Sequence, residues 1–194
     1  MSRKNSAGSS LTDLVGVQPV AFLNGGIVPL WPFPELAGSE TFPLMAGEMA
    51  CLSGAAGSRI GLTRPGTDAS GYGVLGFTGD NASNATSSVM GVFIATPDAI
   101  FCGNVGHGTS ALAQTAALDV GQQYGLTSLS GRTYVDKSKG VGNISTAMVR
   151  VLGFNEQDIV PCFYGRVLFQ VLANNCQLLN NTMTNASGSV ATAV

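Results

Sequence analysis

The stretch NISTAMVRVLGFNEQDIVPCFYGRVLFQVL, residues 143–172, decides the fold class. It holds two apolar runs, Ala147 to Phe154 and Gly165 to Leu172, separated by polar residues and a proline. Each run is short, rich in Val, Leu and Phe, and carries a polar residue within it. That pattern predicts two strands buried on at least one face. Neither run is long enough for a stable helix, and both are cut by Gly or Pro. The link Asn155 to Tyr164 carries Asn155, Glu156, Gln157, Asp158 and Pro161, and reads as a loop. The pair reads as the closing strands of an all-β core.

Upstream, short apolar pieces alternate with turns. Phe42 to Met45, Met49 to Leu52, Ile60 to Leu62, Tyr72 to Phe77, Val89 to Ala95 and Ala99 to Cys102 read as strands or extended pieces. Arg64 to Asp68 and Thr96 to Asp98 read as turns, and Asp80 to Ser88 as an exposed polar loop. Ser110 to Leu118 reads as a short helix or an extended segment. Many short strands with Gly-rich turns predict a compact β-barrel or a sandwich. No period of about 20–50 residues suggests a solenoid.

The expected organisation is an N-terminal arm or strap over 1–40, a β-barrel core over 41–172 and a polar C-terminal tail over 173–194. Within the arm, Val20 to Leu23 and Ile27 to Leu30 flank Asn24-Gly25-Gly26, which could close a hairpin. Pro19, Pro29, Pro32 and Pro34 oppose interior strands, so an extended strap is the preferred reading. The tail is rich in Asn, Thr, Ser and Ala; it is either disordered or paired at a sheet edge.

Composition bears on function. Only 10% of the 194 residues are charged, against about 25% in an ordinary soluble domain. Either the chain is a sparsely charged monomer, or much of its surface is covered by partners; the second is preferred, since obligate interfaces are depleted of charge. A net charge of −2 gives no footprint for nucleic acid. No apolar run reaches the ~18 residues of a membrane span, and no apolar segment follows the basic start as in a signal peptide. The sequons at Asn81, Asn84, Asn143, Asn180 and Asn185 are then chance. Cys51, Cys102, Cys162 and Cys176 lie far apart and predict buried free thiols rather than zinc or redox use.

Catalytic patterns are thin. His107, the single histidine, would have to serve any triad, with Ser110 and Asp98 or Asp119, yet no nucleophile elbow is present. Gly103, Gly106 and Gly108 lack the Lys-Ser/Thr of a phosphate loop. Asp98, Asp119, Asp136 and Asp158 are scattered, mostly at turns, and Asp80, Asn81 and Asn84 are too sparse for calcium. The chain is therefore expected not to be an enzyme and to need no cofactor or metal. Arg150 and Arg166, one in each closing run, should point outward and either pair with a carboxylate or cover apolar surface with the stem, an intersubunit contact being the alternative.

The segments VFIATPDAIF (92–101), GQQYGL (121–126), YVDK (134–137), VRVLGF (149–154) and GRVLFQVL (165–172) resemble tailed-bacteriophage head decoration (cement) proteins, over roughly residues 40–172. The resemblance implies a compact β-barrel of the β-tulip type without catalysis. It also implies a homotrimer on the outer capsid of the virion, made in the host cytoplasm, with the major capsid protein as partner and neither nucleic acid nor membrane. The expected interface residues are Val20, Phe22, Leu30, Trp31, Phe33, Arg150 and Arg166, with Trp31 and Phe33 as anchors. The rival readings are a fibre or spike adhesin of the same particle, presenting Asp80 to Ser88, and a small β-barrel hydrolase using His107.

Overall fold

The computed structural model describes residues 4–6, 14–35, 43–53, 61–65, 73–83, 88–140, 146–180, 182–184 and 190–192. In chain order the strands are β1 Lys4–Ser6, β2 Gln18–Phe22, β3 Leu30–Pro34, β4 Met49–Ser53, β5 Gly61–Thr63, β6 Gly76–Thr78, β7 Val89–Ile94 and β8 Ala99–Gly106. There follow β9 Gln123–Leu129, β10 Arg132–Asp136, β11 Val149–Phe154, β12 Asp158–Phe163, β13 Arg166–Val171, β14 Thr182–Thr184 and β15 Val190–Thr192. One short helix, α1, covers Gln177–Asn180. Roughly half the chain is strand and a tenth helix, so the protein is all-β as the sequence predicts.

The closing strands are antiparallel neighbours: β11 pairs β13, with Val149 opposite Val171 and Val151 opposite Phe169. From there the sheet runs β10-β9-β11-β13-β8-β2. A parallel pairing of β10 with β8, Val135 opposite Val105, joins the ends and closes a five-stranded barrel of β8, β9, β10, β11 and β13. Closure removes the free edges those strands would otherwise expose. A second sheet runs β15-β14-β4-β6-β7-β3, with β5 on β4. A single bridge between Glu35 and Leu62 links β3 back towards β5, so this sheet is rolled almost shut.

Alternation sorts the side chains. On β13, Val167, Phe169 and Val171 are buried while Arg166, Leu168 and Gln170 are half-buried. Phe169 meets Phe101 of β8 and Phe77 of β6, with ring centroids 6.1 and 5.9 Å away. Phe77 and Phe101 lie 4.7 Å apart in a tilted pair, a geometry aromatic rings favour. These rings join the barrel to the second sheet in one core that also holds Met49, Val105, Leu126 and Val151. A separate cluster of Leu44, Ala50, Leu62, Leu75, Met90, Val92 and Ile94 fills the second sheet.

The structure departs from the sequence reading in places. The link read as a loop contains β12, which pairs in parallel with β1. Its buried residues Asp158 and Cys162 lie four apart and so share one face, but polar neighbours and Pro161 mask the pattern. Ser110 to Leu118 is not one continuous element: short 3₁₀ helices occupy Ser110–Leu112 and Ala117–Asp119, with a bridge from Gln114 to Phe163 between them. Asn24-Gly25-Gly26 does not close a hairpin, because β2 pairs β8 and β3 pairs β7. The turn instead makes a jog, with the Phe22 N–H donating to the Gly26 carbonyl at 2.8 Å and Gly25 at φ 84°. The chain from Gln18 to Pro34 is thus extended and lies antiparallel along β7 and β8, one edge strand on each sheet. In the tail, β14 pairs β15 and touches β4 at Thr184 and Ser53, which is the edge-paired alternative.

Candidate interaction face

The expected interface residues fall in two places. Val20 and Phe22 lie on β2, and Leu30, Trp31 and Phe33 on β3. Val20 is 51% exposed and Trp31 56%. Phe22 and Phe33 are half-buried and pack against the central core and the second-sheet core respectively. Phe33 therefore supports the body more than it offers a contact. Arg150 is exposed on β11 and Arg166 half-buried on β13. Both sit on the barrel wall, with β8 and β13 between β2 and Arg150's strand. The structure does not bring the arginines together with the strap.

Pairing explains the shape of β3. Leu30, Pro32 and Pro34 stand opposite Phe93, Gly91 and Val89 of β7, on the face turned from the second-sheet core. Leu30 lies over Gly79 and Gly91: a Cβ on either glycine would come within 2.6 or 2.8 Å of its side chain. The glycines form a shallow floor, and Leu30 stays 48% exposed on it; Val89, at the other end of the ladder opposite Pro34, is 62% exposed. Leu23 and Ile27 extend this exposed apolar surface through the jog between β2 and β3. Leu23 and Ile27 fall within the Val20 to Phe33 stretch expected from sequence to make the arm contact; Val89 reads from sequence only as the start of a strand.

The backbone of β3 tells which way a partner can approach. The Glu35 N–H donates to the Ser88 carbonyl at 3.0 Å. By alternation, Trp31 and Phe33 also point their polar backbone groups at β7, while positions 30, 32 and 34 point theirs outward. Two of those three positions are proline and have no N–H to give. The outer edge is therefore blunted against strand addition. A partner must meet this region through side chains.

Charge is arranged in the opposite sense. Asp158 is buried and grips Arg166 with Oδ1 to Nη2 at 2.7 Å and Oδ2 to Nε at 3.2 Å, while its Oδ2 also accepts the Arg166 N–H at 2.7 Å. Asp119 accepts from Lys137 Nζ at 2.8 Å, the Tyr124 hydroxyl at 2.7 Å and the Ala116 N–H at 2.7 Å. Burial, followed by that carboxylate, pushes the Tyr124 hydroxyl well above its ordinary value. Asp136 accepts from Thr127 Oγ1 at 2.8 Å and Ser138 N at 3.0 Å. These carboxylates, read from sequence mostly as turn caps, lock turns and strands of the barrel together. Burial also raises the thiols of Cys102 and Cys176, the latter to about 12. Cys51, Cys162 and Cys176 are buried and all four cysteines are free thiols.

His107 is half-buried, and its Nδ1 accepts the Thr109 N–H at 2.9 Å. Asp98, its possible triad partner, accepts instead from Thr96 Oγ1 at 2.5 Å. Asp119 is committed to Lys137 and Tyr124. Among the described residues no three His, Cys, Asp or Glu side chains gather as a metal would need. No described helix is long and apolar enough to cross a membrane. Of the polar loop Asp80 to Ser88, positions 84–87 lie outside the described residues. Compared with protein-family models, curated proteins and solved structures, the chain matches none.

Proposed function

We propose that the chain is a structural capsid-decoration protein: it binds the outside of an assembled phage head and strengthens contacts between major capsid subunits. One observation carries this reading. Val20, Leu23, Ile27, Leu30, Trp31 and Val89 expose apolar surface along one extended strap and its neighbour strand, in a chain with few charges. Patches of this kind mark surfaces built for a partner. The blunted β3 edge favours a side-chain contact over backbone pairing, and the resemblance in sequence supports a capsid as the surface met.

The mechanism is mechanical. A ligand that binds the assembled state better than free subunits stabilises that state by mass action. An oligomer, a homotrimer in this reading, multiplies the effect through effective concentration. Trp31 is the anchor on this reading, and large aromatic anchors typically contribute about 2 kcal/mol or more. The test is occupancy on purified, undecorated shells. Trp31→Ser together with Ile27→Ser should weaken binding by roughly thirtyfold or more and lower the heat resistance of the shell. Equal occupancy by wild type and double variant rejects the strap as the contact. Labelled chain found at the tail rather than over the head replaces the reading with an adhesin.

A further inference from the structure

The first strand of the chain is held by little. Among the described residues β1 pairs with β12 alone, in parallel. Lys4 stands opposite Asp158 and Ser6 opposite Phe163, so two steps along β1 answer five along β12 and the ladder breaks between them. The opposite edge of β12 is secured by the segment ahead of the Ala117–Asp119 turn. There the Thr115 N–H donates to the Cys162 carbonyl at 3.0 Å, and the Tyr164 N–H donates to the Ala113 carbonyl at 2.7 Å. β1 therefore covers the one remaining edge of β12, and an uncovered edge is a template for another strand.

The chain is pinned again a short way on. Leu14 is buried against Ala113, Tyr134 and Tyr164, and the Val15 N–H donates to Asn104 Oδ1 at 3.1 Å. Tyr164 follows Phe163, so this pin sits at the same end of β12 as Ser6. Between Ser6 and Leu14 lie seven residues, AGSSLTD, and a chain of that length reaches up to about 28 Å. The reach suffices to seat β1 on β12 of an adjacent copy as well as on its own. Every copy carries the same strand and the same edge, so the contacts made are identical either way, the condition under which exchange costs least. Exchange also gains something. Ile159 and Phe163 of β12 stay exposed with β1 in place, and a second body drawn alongside would cover apolar surface that pairing within one chain leaves wet.

We propose that β1 is exchanged between copies of this chain, the first strand of one copy completing β12 of the next. The inference rests on the homotrimer part of the proposed function and assigns that oligomer a contact. Its test uses the free chain without shells, so failure here leaves the strap contact standing, and a strap that fails on shells leaves the exchange standing. Ser6→Cys with Phe163→Cys in one chain, oxidised while dilute, locks β1 onto its own β12, since opposed strand positions lie within disulfide reach. At high concentration the reduced double variant should run as an oligomer on a sizing column and the oxidised one as a monomer. In a second arm the single variants are mixed and oxidised. Ser6→Cys with Phe163→Cys should give at least about fivefold more covalent heterodimer than Lys4→Cys with Phe163→Cys, whose positions are out of register. A locked chain that assembles like the reduced one, a reduced chain that stays monomeric, or equal yields from the two mixtures overturns the proposal. Should Phe163→Cys not fold, the unmodified chain decides: in a mixture of isotope-labelled and unlabelled copies, backbone contacts between Ser6 of one copy and Phe163 of another support exchange, and contacts within single copies only overturn it.

Discussion

The strand pair β11/β13 and the strand pair β2/β3 are built from similar residues and meet opposite fates. VRVLGF and RVLFQV bury Val149, Val151, Val167, Phe169 and Val171. QPVAF and LWPFP bury none of their residues fully. The difference lies in neighbours and prolines. β11 sits between β9 and β13, and β13 between β11 and β8, whereas β2 and β3 end their sheets. Pro19, Pro32 and Pro34 suit only such positions. Apolar composition thus predicts a strand, and the placement of proline predicts whether both of its edges are used.

Four experiments break or sharpen that contrast. The largest effect belongs to the closing pair. Phe169→Ala removes a ring packed against both Phe77 and Phe101 and should cost about 3–5 kcal/mol, a fall in melting temperature on the order of 10 °C. A loss as small as that of an exposed residue would show that the barrel core is not where stability resides.

The next tests the buried charge beneath the barrel wall. Asp119→Ala strands Lys137, whose side chain is 14% exposed, and should destabilise by about 3 kcal/mol. Adding Lys137→Met should recover much of that loss, and denaturant melts of both variants measure the coupling.

A smaller effect appears in alkali. The ordinary thiol value is 9.0, and burial, with Asp98 as a lesser cause, moves Cys176 to about 12. The unfolded chain therefore loses its proton first. The stability this thiol contributes is complete below pH 9 and drains away as pH rises towards 12. Cys176→Ala should flatten its share of that slope in melts taken across the interval. The smallest effect is on the strap. Trp31→Ser should leave the melting of the free chain within about 0.5 kcal/mol of wild type, although the same residue is the anchor in the proposed contact with a shell. A large loss of stability would move Trp31 from contact to core.

Much of the fold was legible where alternation was clean. Val149 and Val151 flank Arg150, and Val167, Phe169 and Val171 flank Leu168 and Gln170, so both closing strands declare themselves. β12 was hidden because Asp158 looks like a turn residue until its partner Arg166, eight positions on, is seen across the fold. Ring closure of β10 on β8 joins Val135 to Val105, a pairing that no local pattern encodes. The exposed strap was half legible: Trp31 among prolines marks it, but Val89 lies on another strand, and only the register of β3 against β7 sets it opposite Pro34 at the strap's far end. The pairing of buried Glu48 with Arg64 was not legible, since the two sit in unremarkable sequence sixteen positions apart.

Pro32 and Pro34 have a consequence for life in a crowd. Many copies held side by side at fixed spacing ordinarily invite bare strands to template one another into fibres. Here the outer edge of β3 lacks two of the three amide hydrogens such templating needs. Were the chain displayed at high density, as the proposed function has it, this edge would resist pairing with a neighbouring copy.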